Sequence, residues 1–342
     1  MIAVDYPPME MRAVERLPDG DGWLYEPKWD GFRCVAHRDG REVALTSKAG
    51  QPLARYFPEI VDALRALDAD RFSLDGELVV WAGGGLSFDA LQQRIHPAAS
   101  RVAMLAEATP AIYLAFDLLR LDGTDWNDQP IERRRPALEA LAEQFRAPRL
   151  RLSPATRSRA VADGWLSGAG GAIDGVVAKR LGVPYASGRR DAAVKVKKMR
   201  TADCVIGGYR YAKGSTTRVG SLLLGLYDDD GLLDYVGFCS AFSNAEREAL
   251  VARLRPHVGE PGFTGGAPDT APSRWDRGED RDKSYVKLKP ELVLEVEFDL
   301  VTGGRIRHGT RPVRWRTDKS PATCTREQLE TLDTFSASII QG

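Results

Sequence analysis

The pattern of hydrophobic and polar positions in the first two hundred residues predicts short β-strands interleaved with helices. Residues 23–28 and 32–37 are rich in β-forming side chains and flank an Asp-Gly step, so we expect two paired strands joined by a tight turn. Residues 42–47 follow a second Asp-Gly step and extend this meander. Residues 58–67 and 133–145 instead repeat apolar side chains at the spacing of an amphipathic helix.

The pattern changes near residue 200, where helical segments give way to strands. Further elements are predicted at residues 205–211, 220–227, 232–238 and 292–300 as strands and at residues 246–254 as a helix. Several strands with one short helix suit a small barrel of the oligonucleotide-binding (OB) type. We therefore predict an α+β chain, with antiparallel sheets and helices over residues 1–200 and an OB-fold β-barrel over residues 201–342.

Length and composition fit two folded domains and argue against several classes of protein. A chain of 342 residues is long enough for two domains that each bury a core. No apolar run approaches the roughly 20 residues of a membrane span, and the N-terminus lacks the basic start and apolar core of a signal peptide. We expect a cytoplasmic protein that does not bind membranes. Cys34, Cys204, Cys239 and Cys324 form no Cys-x-x-Cys pair, so we expect buried thiols instead of a zinc site or disulfides.

The formal net charge is zero, but the basic residues are concentrated in two stretches. Eleven basic residues lie between Lys179 and Arg218, against two acidic ones. The second stretch, from Arg305 to Lys319, contains Asp318 as its only acid. Such local positive charge is typical of proteins that bind a polyanion, although two solvated faces would give the same pattern. The distribution modestly favours a polyphosphate or nucleic-acid ligand.

Lys28 precedes an Asp-Gly step, with Glu26 two residues before it and Arg33 five residues after it. Among apolar neighbours and other cations, this lysine is expected to lose its proton readily, and a neutral amine is a nucleophile. Taken alone, the stretch fits an ordinary surface hairpin better. Lys195 and Lys197 alternate with valines, so strand periodicity points both amines to one face, where they either bind an anion or face solvent.

Short motifs follow Lys28 in a fixed order. They are Ser-Lys-Ala-Gly at 47–50, Leu-Asp-Gly-Glu-Leu at 74–78, Tyr-Leu-Ala-Phe-Asp at 113–117, Asp-Gly-Val-Val-Ala-Lys at 174–179, Lys-Val-Lys at 195–197 and Arg-Trp-Arg-Thr-Asp-Lys at 314–319. This series resembles the motifs of the covalent nucleotidyltransferases, the superfamily of DNA ligases, RNA ligases and mRNA capping enzymes. Within it, the chain is most similar to small bacterial ATP-dependent DNA ligases of the C type and to the ligase module of multifunctional end-joining ligases.

The resemblance implies an adenylation (nucleotidyltransferase) domain followed by the OB domain, and a reaction in three steps. Lys28 would attack the α-phosphorus of ATP and release pyrophosphate, forming a lysyl-AMP. The AMP would then pass to the 5′-phosphate of a nick, and the adjacent 3′-hydroxyl would displace it. Ligases that use NAD carry a zinc module, and this sequence has no zinc-ligand spacing. The expected cofactors are therefore ATP and Mg²⁺ or Mn²⁺.

By the same resemblance, most motif residues would bind the nucleotide. These are Glu26 at the adenine amino group, Arg33 on the ribose side, Phe116 stacked on the adenine, Lys179 at the end of the fourth motif, and Lys195 with Lys197 at the α-phosphate. Phe116 also fits an ordinary core aromatic residue. Lys48 would bind the 5′-phosphate of the nick, at a position where the family commonly has arginine.

Glu77 and Asp174 are the expected metal ligands, because Mg²⁺ takes one or two carboxylates together with phosphate oxygens and water. Glu77 alternatively binds the ribose hydroxyls. Asp174 stands where the family usually has glutamate. Asp30 and Asp75 are expected to shape their Asp-Gly turns.

The last motif contributes Arg316, Asp318 and Lys319, which the resemblance places on the OB domain. In the family these residues swing over ATP and orient the leaving pyrophosphate, which requires the domains to close and reopen. A basic loop that faces DNA would have the same composition, and one stretch could serve both roles.

The leading hypothesis is a monomeric DNA ligase that seals nicks in double-stranded DNA during repair, with DNA-repair proteins as candidate partners. One alternative is an RNA ligase or RNA-capping enzyme with the same lysyl-nucleotide chemistry. Glu26 and the Arg-x-Asp-Lys arrangement count against capping. The other alternative is an inactive OB-fold protein that binds nucleic acid, against which the retained Lys28, Glu77 and Lys195 count.

Overall fold

The structure, a computed structural model, describes residues 7–96, 98–145, 148–169, 173–268 and 284–330. The chain separates into two compact units, the first ending at Lys198 and the second beginning at Met199. Both units combine mainly antiparallel sheets with helices, as the hydrophobic pattern predicts; in the first unit, β1 with β11 and β7 with β9 are parallel pairs.

The strands of the first unit form two sheets. They are β1 Arg12–Ala13, β2 Trp23–Trp29, β3 Phe32–Asp39, β4 Glu42–Ser47, β5 Arg71–Ala82, β6 Gly85–Leu86, β7 Ala111–Leu121, β8 Thr124–Asp125, β9 Leu150–Leu152, β10 Ile173–Arg180 and β11 Ala193–Lys197. One sheet, here called the lysine sheet, has the strand order β1-β11-β10-β2. The other, the carboxylate sheet, has the order β4-β3-β5-β7-β8, with β6 paired to β5 and β9 to β7.

The strands on either side of the Asp30-Gly31 step do not form the expected hairpin. β2 pairs with β10 in the lysine sheet, whereas β3 pairs with β4 and β5 in the carboxylate sheet. A Cβ atom on Gly31 would lie 2.2 Å from the carbonyl oxygen of Leu78, so only glycine allows the chain to cross here. The predicted pairing was wrong because alternation identifies a strand but not its partner. The next predicted pair, β3 with β4, is confirmed.

Of the described helices of the first unit, α1, α2, α4 and α5 pack against strands of the two sheets, and α3 packs against α1. They are α1 Pro58–Arg65, α2 Phe88–Gln93, α3 Ala99–Ala108, α4 Ile131–Ala142 and α5 Arg159–Gly168. Helix α1 begins with Pro58, whose fixed φ suits the first helical turn. The neighbouring Glu59 accepts hydrogen bonds from Arg94 at 2.7 Å and from the backbone N–H of Ala111 at 2.9 Å, which ties the helix to β7.

The second unit is built on one curved antiparallel sheet. Its elements are β12 Arg200–Tyr211, β13 Val219–Tyr227, β14 Leu233–Cys239, α6 Asn244–Leu254, β15 Val286–Lys287, β16 Val293–Phe298, β17 Val301–Thr302, β18 Arg305–Ile306 and β19 Arg311–Trp315. The main sheet has the order β14-β13-β12-β16-β19, and β15 pairs with β12. Helix α6 begins at a capping box in which Ser243 and Glu246 exchange hydrogen bonds.

All four cysteines of the sequence are buried and unpaired, as expected. Burial raises the pKa of the Cys34, Cys204 and Cys239 thiols, and it raises that of Cys324 to about 11. Among the described residues, no helix is long and apolar enough to cross a lipid bilayer.

Candidate active site

The register of the lysine sheet places four predicted site residues in two adjacent rows. Lys28 and Lys197 both lie opposite Gly175, one on each side of β10. Glu26 and Lys195 likewise both lie opposite Val177. Directly paired residues project to the same face of an antiparallel sheet, so one face carries three amines and a carboxylate.

Gly175 allows the strands that carry these lysines to approach closely. A Cβ atom at this position would lie 1.9 Å from the carbonyl oxygen of Val196 on β11. Any larger residue would therefore push β10 and β11 apart. The glycine of this Asp-Gly motif serves sheet packing, and its φ is not positive.

Asp174 reaches the same face because β10 contains a β-bulge. The pairing with β2 advances from Ile173 to Gly175 while β2 advances by one residue, so Asp174 is the extra residue. On a regular strand the side chain of Asp174 would point to the face of the sheet opposite to that of Lys28 and Lys197, which pair with Gly175. Instead its Oδ2 accepts a hydrogen bond from Lys28 Nζ and lies 3.9 Å from Lys197 Nζ. Its other carboxylate oxygen, Oδ1, is buried without a protein partner.

The resting protonation state of Lys28 differs from the sequence-based expectation. Burial lowers the pKa of the ammonium, but the charge of Asp174 and the hydrogen bond to it outweigh burial and raise the pKa above its ordinary value. Lys28 is therefore an ammonium in this state, with 17% of its side chain exposed. The expected loss of the proton was wrong here because the bulge that brings Asp174 to the amine cannot be read from the sequence.

Lys195 behaves in the opposite way. Burial lowers the pKa of its ammonium, and the charges of Lys28, Lys197 and Lys48 lower it further. This group of four cations is the most positive part of the site, and it is suited to a phosphate that neutralises it.

The carboxylate sheet supplies Arg33 and Glu77, which lie directly opposite each other on β3 and β5. Arg33 forms a bidentate ion pair with Asp75, with Nε 3.1 Å from Oδ1 and Nη2 2.6 Å from Oδ2. Tyr185 donates a hydrogen bond of 2.6 Å to the same Oδ2 and accepts one of 2.8 Å from the backbone N–H of Met9. Asp75 is fully buried within a continuous strand, so the expectation that it shapes a turn was wrong.

A second β-bulge sets the orientation of the Phe116 side chain. Asp75 pairs with Asp117, and the next residue of β5 pairs with Ala115, so Phe116 is the extra residue of β7. Its ring lies 5.4 Å from the Arg33 guanidinium and 5.0 Å from the Lys179 ammonium. It is partly exposed, which distinguishes it from the buried aromatic side chains of the core.

Glu26 and Lys179 belong to a buried network of charges. Lys179 Nζ lies 2.9 Å from Glu26 Oε2 and 3.2 Å from Asp117 Oδ2, and Arg134 of α4 donates to both oxygens of Asp117. Burial raises the pKa of Asp117, but Arg134 and Lys179 more than offset it and bring the pKa to about 2. Burial raises the pKa of Glu26, only partly offset by Lys179. The Oε1 atom of Glu26 is buried without a protein partner.

Sequence reasoning gave no role to Asp117 or Arg134, although both fix the position of Lys179. The only signal for Asp117 was its place after Phe116 in the third motif. Arg134 lies on the buried face of an amphipathic helix, where a charged residue predicts a buried partner.

Glu77 is partly buried, and its pKa is raised to about 8. Burial is the main cause; Asp30 and Asp75 raise the pKa further, while Lys28 and Arg33 oppose the shift. A carboxylate in such surroundings favours either a proton or a bound cation.

Lys48 lies at the edge of the site and is 57% exposed. Its ammonium is 3.2 Å from Glu10 Oε1, and Arg190 forms an ion pair with the other oxygen of Glu10. Hydrogen bonds from Arg190 and Lys48 hold the pKa of Glu10 below its usual range. The two cations converge on one carboxylate, and the sequence singled out only Lys48.

The last-motif residues form a cluster within the second unit. Arg316 donates from Nε and Nη2 to the two oxygens of Asp318, both at 2.9 Å, and from Nη1 to both oxygens of Asp203, also at 2.9 Å. Lys319 Nζ lies 2.8 Å from Asp203 Oδ2. The hydrogen bond from Arg316 holds the pKa of Asp318 at about 2. The sequence predicted three members of this cluster and missed Asp203.

Comparisons with known proteins agree with this arrangement. The family model for the ATP dependent DNA ligase domain matches residues 1–197, and the model for the ATP dependent DNA ligase C terminal region matches residues 215–319. DNA ligase C2 of Mycolicibacterium smegmatis is 46% identical over 340 residues, which cover 94% of each chain. DNA ligase C of Mycobacterium tuberculosis is 43% identical over 356 residues, covering 97% of this chain and 96% of that one.

Solved structures support the fold class. A Lig E DNA ligase aligns with a TM-score of 0.53 at 17% identity, covering 90% of this chain and 99% of that chain. The predicted α+β nucleotidyltransferase fold followed by an OB-fold unit is confirmed. The chain therefore belongs to the ATP-dependent DNA ligase family.

Proposed function

We propose that this DNA ligase seals nicks through a lysyl-AMP formed on Lys28. The proposal rests on the register of the strands in the lysine sheet. This register places the Lys28 amine in hydrogen-bond contact with Asp174, on the face that also carries Lys195 and Lys197. A nucleophile, a proton acceptor and two further cations are the groups that attack at a phosphorus of ATP requires.

The first step begins with loss of the proton that Asp174 stabilises on Lys28. The free amine then attacks the α-phosphorus, a nitrogen–phosphorus bond forms, and the bond to the bridging oxygen breaks. Pyrophosphate leaves with that electron pair. Lys195 and Lys197 neutralise the charge that spreads over the non-bridging oxygens. ATP brings negative charge to the lysine sheet and attracts the cations that surround Lys28.

The adenine site consists of a carboxylate and an aromatic ring. Glu26 Oε1 is a buried acceptor without a protein partner, so a donor such as the adenine amino group would satisfy it. Lys179 holds the other oxygen of Glu26 in place. Phe116 is partly exposed beside Arg33, where its ring can stack on the base while Arg33 binds the ribose.

Glu77 and Asp174 fit a hard divalent cation, Mg²⁺ or Mn²⁺. Asp174 Oδ1 is an unpartnered buried oxygen, and Glu77 is a carboxylate whose negative charge its surroundings disfavour. Both residues offer the oxygen ligands that such cations prefer. When bound, the metal would neutralise phosphate charge and polarise the phosphorus.

We further propose that Arg316, Asp318 and Lys319 orient the leaving pyrophosphate, and that Lys48 binds the 5′-phosphate of the nick. This phosphate attacks the lysyl-AMP and takes the adenylate, and the 3′-hydroxyl then attacks it and releases AMP. The proposed setting is a cytoplasmic monomer that works in DNA repair, alone or with repair proteins. The two basic stretches of the sequence support binding of double-stranded DNA.

Labelling with α-³²P-ATP tests the proposed nucleophile. The enzyme, incubated with labelled ATP and Mg²⁺, should carry AMP on Lys28 and discharge it onto nicked DNA. Lys28→Ala should abolish the label, because Lys28 is the proposed nucleophile and its amine is the one that donates a hydrogen bond to Asp174 Oδ2. Lys198→Ala is the matched control, since this neighbouring lysine hydrogen-bonds the backbone of Ser167 instead. Label that survives in Lys28→Ala, or that discharges only onto RNA, would contradict the proposal.

A further inference from the structure

Asp203 occupies a buried position on β12 next to the last-motif residues. Its side chain is 11% exposed and accepts hydrogen bonds from two cations, Arg316 and Lys319. Both carboxylate oxygens lie 2.9 Å from Arg316 Nη1, and Oδ2 lies 2.8 Å from Lys319 Nζ. One carboxylate thus holds two side chains that lie more than a hundred residues further along the chain.

The backbone of Asp203 is held in place by hydrogen bonds to the side chain of Gln328. Its backbone N–H donates to Gln328 Oε1 at 2.9 Å, and its carbonyl accepts from Gln328 Nε2 at 3.2 Å. It also pairs with Glu295 across β12 and β16. The backbone that carries this carboxylate is therefore held both by Gln328 and by the pairing with β16.

The two cations differ in how firmly they are held. Arg316 lies between two carboxylates, because Asp318 binds the opposite edge of its guanidinium. Lys319 is 26% exposed, and among the described residues its hydrogen-bond partner is Asp203. Without Asp203, two long cationic side chains would repel each other and sample many rotamers.

We infer that Asp203 is a positioning residue for the adenylation step. It holds the Arg316 guanidinium and the Lys319 ammonium side by side, so that the β- and γ-phosphates of ATP meet a preformed pair of cations. Ordering these side chains before ATP binds removes an entropic cost from the step. The inference rests on the proposed role of Arg316 and Lys319 toward pyrophosphate, and it adds a residue that makes no contact with the nucleotide.

The role is limited to the step that uses ATP. Sealing of a nick that already carries AMP releases no pyrophosphate, so it does not need this pair of cations. A residue that only supports the fold would affect both reactions alike. The ratio of the two rates therefore distinguishes a positioning role from a structural one.

Single-turnover self-adenylation and sealing of a pre-adenylated nick, measured on Asp203→Asn, test the inference. The amide keeps the shape of the side chain but loses its charge and one acceptor. We expect kcat/KM for ATP in adenylation to fall by about tenfold or more, with the larger effect on KM, and sealing of the pre-adenylated nick to stay within about threefold. In an Arg316→Gln/Lys319→Gln background, the same change should have a much smaller effect, because Asp203 acts through these two cations.

Asp234→Asn is the matched control. Asp234 lies in the same unit, is partly buried, and forms an ion pair with Arg326 away from the last motif. We expect both rates of this variant to stay within about twofold of the wild type. Gln328→Ala, which releases the backbone of Asp203, should lower adenylation in the same selective way if Asp203→Asn does not fold.

The outcomes separate the inference from the proposed function. If Arg316→Ala and Lys319→Ala leave adenylation unchanged, the proposed role of these cations fails. If they lower adenylation while Asp203→Asn does not, Asp203 is not a positioning residue. Equal losses in both reactions for Asp203→Asn and Gln328→Ala would also overturn the inference, since they indicate a role in folding alone.

Discussion

At the scale of single residues, the proposed nucleophile, Lys28, is an ammonium and not a free amine in the nucleotide-free protein. Asp174 raises the pKa of Lys28, so the resting enzyme protects the amine from unproductive reaction. In the proposed mechanism, Lys28 must lose this proton before it attacks ATP. Asp174, which raises the pKa of Lys28, is within hydrogen-bond distance and would accept the proton.

Replacing Asp174 by Asn should lower the pKa of Lys28 in the nucleotide-free enzyme. The negative charge of Asp174 disappears, while burial and the neighbouring lysines remain, so we expect the pKa of Lys28 to fall relative to the wild type. Titration of ¹³C-methylated lysines by NMR, with the signal assigned from Lys28→Arg, would measure it. Asp163→Asn, which removes an ion pair with Arg159 on α5, should leave the pKa unchanged. A Lys28 pKa unaffected by Asp174→Asn would contradict this electrostatic account.

Glu77 should make stability depend on pH in a predictable direction. Its pKa rises from 4.5 to about 8 on folding, so the folded protein binds the proton more tightly than the unfolded chain. The resulting stabilisation is present below pH 4.5 and is lost as pH rises toward 8. Glu77→Gln lacks this loss, so its melting temperature should increasingly exceed that of the wild type between pH 5 and 8.5, by several degrees. The test is the melting temperature of both proteins as a function of pH, measured without nucleotide or metal. A difference in melting temperature that does not change with pH would contradict the prediction.

At the scale of elements, two β-bulges and three glycines arrange the site. The bulges at Asp174 and Phe116 turn one side chain each toward the proposed nucleotide site. Gly31, Gly76 and Gly175 each lie where a Cβ atom would be less than 3 Å from a carbonyl oxygen of another strand. The Asp-Gly motifs therefore mark close approaches between strands, which explains why they accompany the catalytic residues.

Gly175→Ala should disrupt the lysine sheet. The added methyl group would meet the Val196 carbonyl at 1.9 Å, so β10 and β11 must separate. We expect a loss of about 1–3 kcal/mol or more in the free energy of unfolding, together with slower adenylation, because Lys195 and Lys197 move with β11. Gly164→Ala is the control, since this glycine of α5 has open space around its Cβ position. It should be neutral or slightly stabilising in thermal and urea unfolding.

The sequence predicted many elements but few of their partners. Alternation located β2, β3 and β4, and the lysine–valine alternation correctly placed Lys195 and Lys197 on one face. It could not assign β2 to β10, because pairing depends on contacts more than a hundred residues apart. Bulges leave no hydrophobic signature, so the approach of Asp174 to Lys28 was not predictable. Asp203 was missed because an isolated acidic residue on a strand does not indicate which residue it pairs with.

At the scale of the whole molecule, the zero net charge is the sum of stretches of sequence with opposite charge, two of which are strongly basic. Between Lys179 and Arg218, and between Arg305 and Lys319, basic residues far outnumber acidic ones. Binding to DNA should therefore release counterions and weaken steeply with salt, although the formal net charge of the protein is zero.

Nicked-DNA binding measured across salt concentrations would test this view. A plot of log Kd against log salt should be linear with a steep slope, and Lys48→Ala should reduce the slope by about one because one phosphate contact is lost. Arg101→Ala is the control, since this exposed arginine of α3 has no proposed contact with the nick. An unchanged slope in Lys48→Ala would exclude Lys48 from the contact with the nick.

The burial of all four cysteines has a consequence for how the enzyme withstands oxidative stress. Peroxide reacts with thiolates that solvent can reach, and here burial both blocks access and disfavours the thiolate. Nick sealing should therefore persist after treatment with hydrogen peroxide and in buffers without reducing agents. An enzyme that rejoins broken strands would then keep working under the conditions that damage them.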